Sequence, residues 1–143
     1  MLRLLQAFVP AVLLAYLLAS VLVTQANLAA VQSMGLEVST GVRLDTTARD
    51  MVGMASSYLI LILVSFTLAF PVAAGLTRRL PRQRALLFTL AGFVAIVALH
   101  LIMKAALGLS GIAPTRTLAG LLSQGVAGAV GGYSYHALSR RRG

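Results

Sequence analysis

Four apolar runs, at about residues 4–26, 51–76, 85–107 and 117–138, are each long enough for a helix of roughly 20 residues to cross the hydrocarbon core of a bilayer. Inside lipid every backbone N–H and C=O must find a partner within the protein, so runs of this kind fold as helices. The expected fold is therefore all-α: a polytopic membrane protein with four transmembrane helices in an antiparallel bundle, residues 1–143 forming one domain. Composition points the same way. The chain is 59% hydrophobic and only 10% charged, with a mean hydropathy of +0.91, whereas a soluble domain carries about 25% charged residues. The first run is longer than the roughly 7–15 apolar residues of a secretory signal and reads as a retained span.

Charge then orients the chain, because Lys and Arg in short loops stay on the cytoplasmic side. Arg3 precedes the first run, Arg78, Arg79, Arg82 and Arg84 fall in the basic connection 77–84, and Arg140, Arg141 and Arg142 fall in the basic tail 139–143. The opposite side holds Arg43, Arg49, Lys104 and Arg116 together with every acid in the sequence: Glu37, Asp45 and Asp50. Both termini are thus expected in the cytoplasm (N-in/C-in), and the short loops and arginine-heavy side favour a bacterial inner membrane. The same topology accounts for a net charge of +9 and a pI near 11.6 without nucleic acid. Arg78, Arg79, Arg82, Arg84, Arg140, Arg141 and Arg142 are expected to contact anionic lipid headgroups, at about 1 kcal/mol each. Cysteine is absent, which excludes disulfides, thiolate catalysis and cysteine-based metal sites. No metal or other cofactor is expected.

The connections carry ordinary boundary signals. In the outer connection 27–50, LEVSTGVRL alternates around Ser39-Thr40-Gly41 and reads as a small hairpin. Asp50 offers an N-cap for the second span and Asp45 an earlier one. Pro81 separates spans two and three, Gly108 closes span three, GLSGIAP makes a turn, and Thr115 or Thr117 after Pro114 starts span four. Pro10 and Pro71, inside spans, each remove a backbone donor and predict a local bend.

Polar residues within the runs are the best pointers to chemistry, since leaving them in hydrocarbon without a partner is costly. Tyr58, Ser57, His100, Lys104 and Gln124 fall at similar depth toward the non-cytoplasmic side and form a candidate polar pocket. The bland account is preferred for two of them: His100 as a brace bonded to Ser57 or Tyr58, Lys104 as a side chain reaching for the interface. No carboxylate accompanies the histidine within the membrane, which weighs against proton-coupled transport. His136 lies near the other face, so one chain cannot ligate a single haem with both histidines. Tyr133, Tyr135 and His136 read as interfacial.

The last run contains GVAGAVGGYSYH, from Gly125 to His136. At about 100° per residue, Gly125, Gly128 and Gly132 lie within about 60° of one another, and Gly128 and Gly132 form a GxxxG pair that lets helices approach closely. A dinucleotide-binding loop would need a strand before it and an acidic residue about 20 positions beyond it, and neither is present. The glycine face is expected to pack against another helix of the chain, a second copy or a different protein. Three functional readings follow. The first is a small integral membrane subunit or assembly factor that packs through its fourth helix, as a homo-oligomer or in a larger membrane complex. The second is a homo-oligomeric channel or facilitator for a small or anionic solute, with His100, Lys104, Tyr58 and Gln124 lining an outer vestibule. The third and weakest is a lipid-handling enzyme using His100 as a base.

Overall fold

The computed structural model describes residues 2–108 and 118–141. These form five α-helices, α1 (Leu2–Ser33), α2 (Thr40–Met54), α3 (Tyr58–Thr77), α4 (Arg84–Leu107) and α5 (Leu118–Arg141), with a 3-10 turn at Pro81–Gln83. Three stretches are long and apolar enough to cross a membrane: Leu2–Ser33, Tyr58–Thr77 and Pro81–Ala106. Helix α5 is less apolar because glycines, Gln124 and tyrosines replace large aliphatic side chains, and many of these positions pack against α4 and α1. The expected start of the fourth span at Pro114 to Thr117 and the turn GLSGIAP beyond Gly108 lie outside the described residues.

Two layers of side chains show how α1, α3, α4 and α5 run. At the end that carries Arg78, Arg79 and Arg82, Phe8 of α1, Phe70 of α3, Phe88 of α4 and Tyr135 of α5 form an aromatic cluster, with centroid separations from 4.6 Å (Phe70–Tyr135) to 6.5 Å (Phe8–Tyr135). Nearer the other end, Tyr16 and Ala19 of α1, Tyr58 of α3, His100 of α4 and Gln124 of α5 share a second layer. Residues early in α1 and α4 thus meet residues late in α3 and α5, which is an antiparallel four-helix arrangement. Phe66, Ile62 and Ile96 are essentially inaccessible and fill the space between the layers. Outside, Leu13, Leu17, Ile60, Leu68, Val94 and Ile102 are exposed around the bundle. An apolar belt of this extent is foreign to the surface of a water-soluble monomer.

Tyr135 is a correction to the interfacial reading: it is buried in the aromatic cluster, whereas Tyr133, two positions and about 200° away on the helix, is exposed. His136 is likewise buried, at 8% exposure.

The closest packing is between α4 and α5. A Cβ on Gly128 or Gly132 would overlap the carbonyl oxygens of Gly92 and Phe88, and one on Gly92 would overlap the carbonyl of Gly128. Gly92 and Gly128 thus each leave room for the other's carbonyl and Gly132 leaves room for that of Phe88, an approach of the two backbones that any side chain at these three positions would block. Gly125 extends the face onto Phe93 and Val97. Gly131 belongs to a different face, where a Cβ would lie 2.8 Å from that of Ala15 and 2.9 Å from the Phe66 ring. Of the occupants expected for the glycine face, a helix of the same chain fills it.

The connection between α1 and α3 departs from expectation. Instead of a hairpin, residues 40–54 form α2, started by Ser39, whose hydroxyl accepts from the Val42 N–H at 3.2 Å. Short-range alternation misread this segment because its apolar residues also fit a helix: Leu44, Ala48 and Val52 recur every four positions. Asp45 and Asp50, expected as caps, are interior to α2. Asp45 pairs with Arg49 one turn on at 3.1 Å, and Asp50 accepts from the Thr24 hydroxyl at 2.7 Å. The second span is shorter than its 51–76 reading, because the helix breaks at residues 55–57 before α3 begins at Tyr58. Helices α1 and α3 continue through Pro10 and Pro71. Gly35 after α1 and Gly108 after α4 both take positive φ, 86° and 70°, and Gly108 donates its N–H to the Lys104 carbonyl, a left-handed helix stop that favours glycine.

Candidate functional site

The polar layer is built from one residue on each of three helices and a backbone carbonyl on the fourth. Tyr58 is the first residue of α3, and the break before it turns its ring inward beside Tyr16, with centroids 6.4 Å apart. Its hydroxyl donates to Gln124 Oε1 at 2.7 Å and stands 3.0 Å from His100 Nε2. Gln124 donates through Nε2 to the Ala19 carbonyl at 3.4 Å. That last contact fixes the amide, because the opposite orientation would place two oxygens together. A hydroxyl has one proton, and here Gln124 receives it, so His100 must donate from Nε2. The chain of bonds runs from His100 to Tyr58 to Gln124 to Ala19, crossing α4, α3, α5 and α1.

This tautomer leaves His100 Nδ1 as a bare acceptor, and that atom is buried with no hydrogen-bond partner. The layer contains an imidazole, a phenol and an amide, all mutually engaged, and no carboxylate or activated nucleophile beside them. Apart from that nitrogen, its chemistry is that of a cross-brace: buried polar groups bonded to one another that tie four helices at one level.

Of the residues expected to line a pocket, the structure brings together Tyr58, His100 and Gln124. Ser57 and Lys104 do not join them. Ser57 is exposed and makes no side-chain cap, since the residue before an inward tyrosine points about 100° away from it on a helix. Lys104 is exposed in the last turn of α4, where a cation meets the negative end of the helix dipole.

A second polar system, larger than the sequence reading anticipated, docks α2 on α1. Tyr16 donates to the Met51 carbonyl, Gln25 donates to Thr47 Oγ1 at 3.1 Å, and Arg43 donates to Gln25 Oε1 and, at 3.3 Å, to Gln32 Oε1. Tyr16 and Gln25 stand out as polar residues within the first apolar run, whereas Gln32 falls beyond its expected end, in the outer connection 27–50. What was not visible was how α2 would meet them, because LEVSTGVRL, which contains Arg43, reads as a hairpin and only the residues from Asp45 onward carry a helix-start signal.

Arg84 also departs from its companions. Arg78, Arg79, Arg82 and Arg140 are exposed, in keeping with headgroup contact, but Arg84 is half-buried, donates to Ser139 Oγ at 2.7 Å and lies 5.1 Å over the Phe88 ring. The Arg141 side chain and Arg142 lie outside the described residues. Among the described residues no three histidine, aspartate or glutamate side chains gather as a metal site would require. Gly92, the partner of Gly128, was missed because a single glycine in the apolar run ALLFTLAGFVAIVA has no partner at GxxxG spacing.

Compared with protein-family models, with curated proteins and with solved structures, the chain matches none.

Proposed function

We propose that this protein is a small accessory or assembly subunit of a larger complex in a bacterial inner membrane. In this reading α1, α3, α4 and α5 are four spans, both termini lie in the cytoplasm, and the arginines of the 77–84 connection and the C-terminal tail rest on anionic headgroups. Helix α5 serves as the fourth span despite its lower hydropathy because its small and polar residues face other helices rather than lipid, so they cost little there. No cofactor and no nucleic acid enter the reading.

The observation that carries it is the apolar stripe on α2. Side-chain bonds hold one face of this helix to α1, while Leu44, Ala48 and Val52 recur at every fourth position and remain exposed, Leu44 at 68% and Val52 at 79%. This platform stands off the bundle and has no counterpart among the described residues, and a partner protein of complementary apolar surface would supply one. The glycine face, engaged by α4, is a determinant of the fold rather than of assembly.

Mild solubilisation of native membranes followed by native mass spectrometry tests the idea. The chain is expected in a complex with a different protein, and Leu44→Asp with Val52→Asp is expected to release it while leaving the bundle intact. A wild-type chain recovered only as a monomer sinks the proposal.

A further inference from the structure

We propose that the arginine-rich end binds the phosphate of an anionic phospholipid through Arg84, His136 and Arg140, with one acyl chain lying in the groove between α3 and α4. The inference rests on the membrane reading above but not on the accessory role.

Arg84 is positioned before any ligand arrives. Its guanidinium is tethered to Ser139 and supported by the Phe88 ring, yet its Nε–H is buried and has no hydrogen-bond partner among the described residues. One helix away, His136 is 8% exposed and its Nδ1 is also buried without a partner. These are independent orphans, and both Arg84 and Arg140 lie within electrostatic reach of His136. Arg140 follows His136 by four positions and so shares its face of α5, with Ser139 beside it. No acidic side chain is available to neutralise the cluster, since Glu37, Asp45 and Asp50 all belong to the opposite end.

A fixed guanidinium with a free N–H, a second cation and an imidazole that can donate from Nδ1 call for a ligand that only accepts hydrogen bonds. A phosphate oxyanion has that chemistry, and arginine suits it because its planar fork can give two parallel bonds.

The surface next to the cluster argues for a lipid rather than free phosphate. Counting along α4 at about 100° per residue, Leu87, Ala91, Ala95, Ala98 and Ile102 all fall within about 60° of Arg84. Those residues belong to the α4 wall, which continues round the helix through Leu90 and Val94, of an apolar groove of about 680 Å³ whose other wall is α3. From Leu87 to Ile102 the groove runs roughly 22 Å, longer than half of a hydrocarbon core about 30 Å thick. A chain anchored by its phosphate near Arg84 would have its tail on the same side of the helix.

The test uses the full-length protein, delipidated in mild detergent and titrated with phosphatidylglycerol, phosphatidylcholine or inorganic phosphate under native mass spectrometry. One phosphatidylglycerol is expected to bind saturably, with phosphatidylcholine weaker. Arg84→Gln should weaken phosphatidylglycerol by about 30-fold, as for loss of a charge-assisted hydrogen bond, whereas Arg79→Gln should cost no more than about fivefold, as for one charge over a lipid surface. Arg84→Lys, which keeps the charge but not the fork, should fall between them and keeps the question answerable if Arg84→Gln does not fold. Ala95→Phe, which fills the groove, should weaken lipid without altering inorganic phosphate binding. Equal losses for Arg79→Gln and Arg84→Gln would overturn the site in favour of a diffuse cationic surface. Phosphatidylglycerol binding unaffected by Ala95→Phe and displaced by inorganic phosphate would assign the site to a free anion and overturn the lipid. A protein chain retained in the groove in place of lipid would overturn it as well. Partner and lipid masses are read separately, so failure of either proposal leaves the other standing or falling on its own data.

Discussion

At the scale of single residues, the tyrosine hydroxyl at position 58 is the pivot of the polar layer, because it is donor to Gln124 and acceptor from His100 at once. Tyr58→Phe keeps the ring in place and removes both bonds, leaving the His100 Nε2–H and the Gln124 oxygen without a partner in a water-free interior. Interhelical hydrogen bonds in membranes average about 0.6 kcal/mol, but stranding two buried groups costs more than losing one bond, so a loss of about 1–2 kcal/mol is expected. Denaturant unfolding in mixed micelles checks this, and a change below about 0.3 kcal/mol would remove the case for a brace, given that average. His100 and Gln124 were legible as an unusual pair of polar residues in apolar runs. A bond from His100 to Ser57 or Tyr58 was legible too, and the structure selects Tyr58; the second bond, from Tyr58 to Gln124 across 66 positions of sequence, was not.

At the scale of elements, the glycines separate into those whose hydrogen is touched and those whose hydrogen is not. Gly128→Ala places a methyl where the Gly92 carbonyl stands, and backbone on both sides cannot move aside without parting the two helices. We expect a loss at or beyond the roughly 1–3 kcal/mol of ordinary overpacking. Gly75→Ala in α3 is the control: nothing lies within 4 Å of the added methyl, and alanine's higher helix propensity should make it neutral or stabilising by up to about 1 kcal/mol. Thermal unfolding of the two variants in one detergent compares them directly, and equal behaviour would refute the close α4–α5 contact. Helix α2 supports a different expectation. Ser39→Ala removes its N-cap bond, worth about 1 kcal/mol, and Asp50→Ala removes the acceptor for Thr24. Together they should speed amide hydrogen exchange across residues 40–54 while leaving α4 and α5 unchanged. Simultaneous loss of protection in all helices would mean that α2 is an integral part of the bundle rather than a platform docked on it.

At the scale of the whole molecule, the arrangement of the two layers has a consequence for topology. The aromatic layer and the arginines of the 77–84 connection mark one end, while α2 and every acid mark the other. Because the chain has no cysteine, single replacements report on sidedness without background. Arg79→Cys is expected to react with a membrane-impermeant thiol reagent only from the cytoplasmic side, and Leu44→Cys only from the opposite one. Labelling of both from the same side would exclude the four-span arrangement.

Much of this plan can be read from the chain before any coordinates. Continuous apolar runs leave helices as the way to satisfy a backbone in lipid, and a glycine stripe on the last of them requires a close neighbour. Which neighbour, however, depends on the relative rotation of α4 and α5, and a lone Gly92 gives no warning of it. In the same way the alternation around Ser39 is compatible with strand or helix until Arg43, Thr47 and Asp50 find Gln25, Gln32 and Thr24 on α1. Sequence by itself determined the helical class, the apolar exterior and the segregation of charge, because those follow from period, composition and the solvation cost of single residues. Tertiary structure alone decided the occupant of the glycine face, the choice of Tyr58 over Ser57 with its further bond to Gln124, and the separate fate of Arg84, because each is a contact between helices whose meeting is set by packing and not by local sequence.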